Sequence, residues 1–160
     1  MHRLILLLFC LWALPSLAAD PLPVATGTPM LTITAGGDTH RLDADGLRAL
    51  PVAEFVTTTI WTEGPQSFAG VRMTDLLDRL GISSGTMILT AANGYQVRVP
   101  VADFGPDGAI IAYDRNGEAM TLRDKGPLWL VYPYDSDPKF RTEIIYANSI
   151  WQLDRIEFAD

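Results

Sequence analysis

Two Asn-Gly pairs constrain the fold of this chain more than any other feature. The first pair, Asn93-Gly94, lies between strand-like runs at 87–90 and 95–99, and the second, Asn116-Gly117, follows a similar run at 109–113. An Asn-Gly pair favours a type I′ turn, whose twist matches the twist of two paired strands. Each pair therefore predicts a β-hairpin, and together they indicate a chain made largely of short strands.

The rest of the chain adds strands and a few short helices. Apolar residues share one helical face over 73–80, and Gly81 is placed to end that helix. Asp43 is a candidate N-cap for a short helix to Leu50, and 141–149 is a third helical segment. A first hairpin is predicted from 31–34 through a Gly36-Gly37 turn to 40–42. Further strands are predicted at 54–61, through Phe68, 128–132 and 151–158. The sequence therefore predicts a β-rich α+β domain.

The N-terminal residues have the pattern of a signal peptide. A basic start is followed by the eleven-residue apolar run 4–14 and by Ser16-Leu17-Ala18, a small-residue cleavage pattern. The run is too short to cross a hydrocarbon layer of roughly 30 Å. We therefore expect a signal peptide at 1–18, a Pro-rich linker at 19–29, one domain at 30–160, and a periplasmic protein that is not embedded in the membrane.

The composition excludes several kinds of site. The only cysteine is Cys10, inside the expected signal peptide, and the only histidine after that segment is His40. A zinc–thiolate site and a cysteine nucleophile are therefore not expected in the processed domain. The formal net charge of −7 argues against nucleic acid as a partner, because phosphates require compensating cations.

Short motifs follow one another in a distinctive order between residues 31 and 158. They are Phe68-Ala-Gly-Val71 with Thr74-Asp-Leu-Leu77, Ala92-Asn-Gly-Tyr95 with Val99-Pro100, Ile110-Ile-Ala-Tyr113 with Asn116-Gly117, Gly126-Pro-Leu128 with Leu130-Val-Tyr-Pro133, and Trp151-Gln-Leu-Asp-Arg-Ile-Glu157. This order resembles the oxidoreductase molybdopterin-binding domain family. The resemblance implies the sulfite oxidase fold, a β-rich domain of mixed-sheet or barrel-like form with a few short helices.

The departures from that family bear on function. The resemblance implies a molybdenum-ligating cysteine in the 57–59 stretch, where this chain has three threonines, and cations where it has Trp129 and Ile150. A hydroxyl does not replace a thiolate as a soft ligand, and the missing cations would have neutralised the cofactor phosphate. The chain is similar to stand-alone periplasmic pterin-binding members of the family, some of which are regulatory partners of membrane signalling proteins.

A planar pterin ring needs aromatic faces around it and a carboxylate that accepts hydrogen bonds from its edge. The candidate faces are Trp61, Tyr95, Tyr134 and Trp151. The candidate edge readers are Asp135 and Ser136, in the polar loop at 133–138, although the same residues suit a plain turn. Arg141 either pairs with Asp137 or reaches the ligand.

The sequence therefore favours a periplasmic binding protein for a reduced or molybdopterin-like pterin, without tightly bound molybdenum and without catalytic residues. Its expected partner is the periplasmic part of a membrane sensor. The alternative is a molybdopterin-dependent oxidoreductase, or a subunit of one.

Overall fold

A computed structural model describes residues 20–159, so the expected signal peptide with Cys10 lies outside the described residues. The strands are β1 (Leu31–Ala35), β2 (Asp38–Leu42), β3 (Val52–Thr57), β4 (Gln66–Arg72), β5 (Thr86–Ala91), β6 (Gln96–Pro100), β7 (Ile110–Arg115), β8 (Glu118–Ala119), β9 (Trp129–Val131) and β10 (Leu153–Ala159). The α-helices are α1 (Ala44–Arg48), α2 (Met73–Leu80) and α3 (Glu143–Asn148). Short 3₁₀ turns lie at Val101–Asp103, Leu122–Asp124 and Pro138–Phe140.

The strands form two sheets. The first sheet has the order β2-β1-β10-β5-β6, and the second has the order β3-β4-β7-β8, with β9 also paired to β7. Only the β1–β10 pair of the described strands is parallel. This architecture confirms the expected β-rich α+β class, with a mixed sheet and few short helices.

Several local elements form for the reasons visible in the sequence. Gly36 and Gly37 both have positive φ, at 58° and 91°, and allow the tight β1–β2 turn. The Asp43 side chain accepts a hydrogen bond from the Gly46 N–H and caps α1. Gly81 ends α2 with φ of 67°. The apolar face of α2 is buried, as its spacing predicts.

The two Asn-Gly pairs behave differently. Asn116 and Gly117 have φ of 53° and 80°, so the β7–β8 hairpin has the positive-φ pair of a type I′ turn. At the other pair only Gly94 has positive φ, and the four residues 92–95 connect β5 to β6. The hairpin prediction is confirmed there, but the type I′ turn is wrong, because a four-residue connection does not need a positive φ at Asn93.

Two strand boundaries differ from the sequence expectation in ways that matter for the site. β3 ends at Thr57 rather than at residue 61, because the Thr58 N–H donates to Asp135 and the Trp61 N–H donates to the Thr59 hydroxyl. β10 begins at Leu153 rather than at residue 151, because Gln152 has a φ of 54°. As a result, Trp61 and Trp151 both lie in irregular chain beside the sheets.

The expected linker contacts the domain. Residues 20–29 contain no helix or strand, but the backbone N–H groups of Thr26 and Gly27 donate to Asp43, and Leu22 joins the core. Among residues 20–159 no helix is long and apolar enough to cross a membrane.

Candidate functional site

An aromatic cavity of about 470 Å³ opens where the two sheets meet the segment around α3. Its lining residues come from three separate stretches of chain: Trp61, Ala91, Asn93, Tyr95, Tyr146, Ala147, Ser149, Ile150 and Trp151. None of them is an Asp, Glu, Lys or Arg. A cavity of this size and character suits a small, flat, apolar-faced ligand with a few polar groups.

Trp61 is the centre of the aromatic wall. Its ring lies edge-to-face against Trp129, Tyr134, Tyr146 and Trp151, with centroid separations between 5.6 and 6.2 Å. Edge-to-face contacts are the favoured geometry for aromatic pairs. Trp129 and Tyr134 are fully buried behind the wall, whereas Trp151 is 37% exposed at its rim. Trp61 and Trp151 border the cavity, and both pack against the buried ring of Trp129. Trp61 also packs against the buried ring of Tyr134.

Polar groups behind the wall are satisfied by one residue, Ser149. The Tyr134 hydroxyl donates to Ser149 Oγ at 2.7 Å, and Ser149 Oγ donates to the Ile145 carbonyl at 2.7 Å. The Trp129 indole N–H donates to the Ser149 carbonyl at 3.1 Å. Burial raises the pKa of Tyr134 to about 12, so this hydroxyl remains protonated near neutral pH.

Asp135 lies beside this wall and binds the chain that carries Trp61. Its Oδ2 accepts from the Thr58 backbone N–H at 2.6 Å, and its Oδ1 accepts from the Thr58 hydroxyl at 2.8 Å. These hydrogen bonds, with the Thr58 N–H as the main cause, lower the pKa of Asp135. Asp135 does not line the cavity.

Arg141 and Ser136 also face the loop rather than the cavity. Arg141 donates from Nε to the Tyr134 carbonyl and from Nη2 to Asp135. Of the two alternatives for Arg141, the pairing with Asp137 is wrong, because Asp137 caps the following 3₁₀ turn and pairs with Lys139 instead. The Ser136 hydroxyl donates to the Pro133 carbonyl.

The seven candidate residues therefore fall into two groups. Trp61, Tyr95 and Trp151 line the cavity, and Tyr134 packs directly behind it. Asp135, Ser136 and Arg141 form the neighbouring loop network, and their contact with a ligand stays a prediction.

Three further lining residues, Asn93, Tyr146 and Ser149, were not predicted as site residues from the sequence. Asn93 could have been noticed because it lies two residues before Tyr95 in the same turn. No local signal marks Tyr146 or Ser149, because their position depends on how α3 packs.

The threonine segment does not have the donor set of a molybdenum site. Thr57 Oγ1 accepts from the Asp135 N–H, Thr58 Oγ1 donates to Asp135, and Thr59 Oγ1 is hydrogen-bonded to Thr62 Oγ1 and to the Trp61 N–H. Residues 20–159 contain no cysteine and no cluster of three His, Cys, Asp or Glu side chains able to hold a metal ion. These hydroxyls are engaged within the protein and do not fit molybdenum as ligands.

Comparison with known proteins agrees with the fold. The family model of the oxidoreductase molybdopterin binding domain matches residues 46–136. A curated relative, the uncharacterized oxidoreductase YuiH of Bacillus subtilis (strain 168), is 32% identical over 78 residues, which are 48% of this chain. The match spans only 39% of that protein's length. With the family model covering more than half of its residues, this chain belongs to the oxidoreductase molybdopterin binding domain family.

Proposed function

We propose that the protein binds the ring of a pterin in the aromatic cavity. The observation that carries the proposal is the wall formed by Trp61, Tyr95 and Trp151, which offers aromatic faces and no charged side chain. Stacking of a flat heterocycle on aromatic side chains contributes about 1–3 kcal/mol per ring in single-stranded nucleic acid complexes, and a pterin offers a similar π-face. The family's pterin-type cofactor supports this choice of heterocycle.

The proposed ligand is a reduced or molybdopterin-like pterin without tightly bound molybdenum. The three threonine hydroxyls are engaged within the protein. Trp129 and Ile150, which stand where the resemblance implies cations, are buried apolar residues. These features support the binding of a ring without its metal.

We further propose that this binding has a sensory role. A periplasmic protein with no catalytic group of its own would report its ligand by presenting a different surface to a partner, here the periplasmic part of a membrane signalling protein. The cavity rim supports this, because Trp151 and Tyr95 are exposed there and a ligand would change what they present. The apolar run at 4–14 supports export to the periplasm.

A molybdopterin-dependent oxidoreductase, or a subunit of one, is the second candidate. It is favoured by the family to which the chain belongs and by the oxidoreductase name of the Bacillus subtilis relative. Elemental analysis of protein purified from its native host separates the two. Stoichiometric molybdenum would support the enzyme, whereas a fluorescent pterin released on denaturation without metal would support the binding protein.

The direct test is an anaerobic titration of the purified chain with tetrahydropterin, followed by tryptophan fluorescence. We expect saturable binding that weakens tenfold or more in Trp151→Ala, roughly the loss of one stacking contact. Phe55→Ala is the matched control, since Phe55 is a half-buried aromatic on β3 that does not line the cavity. Equal affinity in all three proteins would overturn the proposed site.

A further inference from the structure

A lysine lies against the aromatic wall without lining the cavity. Lys125 Nζ is 4.5 Å from the ring centroid of Trp151 and 5.9 Å from that of Trp129. An ammonium group within about 6 Å of an aromatic centroid makes a favourable cation–π contact. A positive charge therefore touches a ring that borders the cavity, although the cavity wall itself carries no charge.

No carboxylate among residues 20–159 neutralises this charge. Lys125 takes part in no ion pair there, and its ammonium group has no hydrogen-bond partner in that part of the chain. The adjacent Asp124 is directed elsewhere, since it accepts from the Thr121 hydroxyl and pairs with Arg115. The field of the Lys125 ammonium is thus available to a molecule at the rim.

The backbone fixes the lysine in this position. Lys125 has a φ of 71°, a left-handed conformation that is costly for a residue with a side chain. Its carbonyl accepts from the Gln152 N–H at 3.1 Å, so it is tied to the residue directly after Trp151. A glycine or asparagine would meet the backbone requirement at lower cost. The backbone conformation does not require a lysine at this position. The contribution of Lys125 therefore comes from its side chain.

We propose that Lys125 is a specificity-determining residue that makes the cavity prefer a planar ligand with a negatively charged substituent at its mouth over a neutral one. The proposal rests on the proposed pterin function and names the kind of pterin. The ring enters the uncharged cavity, and a carboxylate or similar anionic substituent remains at the rim beside Trp151. A cationic substituent there is disfavoured by the same charge.

The test compares two ligands of nearly equal shape, 6-carboxypterin and 6-hydroxymethylpterin, at neutral pH. We expect the native protein to prefer the carboxylate by roughly three- to fivefold, the range for a partly exposed ion pair. Lys125→Met should abolish the preference and Lys125→Arg should retain it. Because the preference is a ratio within each variant, a general loss of affinity cancels. An unchanged ratio in Lys125→Met would overturn the proposal.

Lys139→Met is the matched control, because Lys139 Nζ lies 4.9 Å from the Phe140 ring but neither residue lines the cavity. It should leave the ratio unchanged. Raising the salt concentration should reduce the ratio in the native protein, and this measurement needs no variant. A salt-independent ratio would count against Lys125.

A second ligand pair, 2-naphthoate and 2-naphthalenemethanol, separates this proposal from the pterin function. Preference for naphthoate that depends on Lys125, without binding of either pterin, would overturn the pterin function alone. Pterin binding with equal ratios in native protein and Lys125→Met would overturn the role of Lys125 alone. Binding of none of the four compounds would overturn both.

Discussion

Asp135 holds Thr58 with both of its carboxylate oxygens, although the two residues lie 77 positions apart in the chain. Thr58 is the first residue after β3, and Trp61 follows it by three residues. Arg141 completes the contact by donating to both Asp135 and the Tyr134 carbonyl. The carboxylate therefore ties the loop that carries the central tryptophan to the chain that follows β9.

This contact predicts that Asp135→Asn loosens Trp61. The variant replaces the charged carboxylate that accepts hydrogen bonds from Thr58 and Arg141 with a neutral amide. We therefore expect the free energy of unfolding to fall by about 1 kcal/mol. We also expect tryptophan emission to shift to longer wavelength as Trp61 gains solvent, and ligand affinity to fall. Asp137→Asn is the control, since Asp137 contacts only its own turn and Lys139. The same emission shift in both variants would contradict the role of Asp135.

A second prediction concerns acid stability and Asp43. Hydrogen bonds from the backbone N–H groups of Gly46, Gly27 and Thr26, in that order of importance, lower the pKa of Asp43 in the folded protein. A carboxyl whose pKa is lowered by folding adds stability above its unfolded pKa of about 3.9, and this stability is lost as the pH falls through the folded value. Asp43→Asn keeps the capping oxygen but not the charge. The melting temperature of this variant should fall less than that of the native protein between neutral pH and pH about 2. Parallel curves would show that Asp43 does not contribute to the acid sensitivity.

A third prediction concerns the close approach of β4 and β7. A Cβ at Gly70 would collide with the Ile111 carbonyl and lie 2.6 Å from Ala112 Cα, next to the irregular register between Ala69 and Gly70. Both neighbours are backbone atoms and cannot rotate away. Gly70→Ala should therefore lower the free energy of unfolding by roughly 1–3 kcal/mol or more in a denaturant titration. Gly105→Ala is the control, because nothing lies within 4 Å of its added Cβ.

A fourth prediction concerns the hydrogen bonds behind the cavity. Tyr134→Phe removes the hydroxyl that donates to Ser149 Oγ, while Ser149 keeps its own bond to the Ile145 carbonyl. The loss should cost about 1 kcal/mol of stability, measured by chemical denaturation. Ser149→Ala should cost more, since it leaves the buried Tyr134 hydroxyl without its acceptor. The opposite order would show that the hydroxyl finds another partner.

The sequence by itself determined those features that depend on neighbouring residues. The glycine pair at 36–37, the Asp43 cap and the apolar face of α2 each formed as their local patterns predict. The order of short motifs also identified the family, and the family model over residues 46–136 confirms it. Trp61, Tyr95 and Trp151 could be named as candidate cavity residues because they are aromatic residues near turns.

Only the tertiary structure decided how distant segments meet. The sequence does not show that Asp135 accepts a hydrogen bond from Thr58. Nor does it show that Arg141 pairs with Asp135 rather than with Asp137, which is nearer in the sequence. Both contacts depend on which loops the sheets bring together. The cavity wall likewise combines a turn after β3, the β5–β6 connection and the chain around α3. Lys125 lies against Trp151 because its carbonyl accepts a hydrogen bond from the N–H of Gln152, which is 27 residues later in the chain. These are long-range contacts, and their energies are realised only after the two sheets have packed.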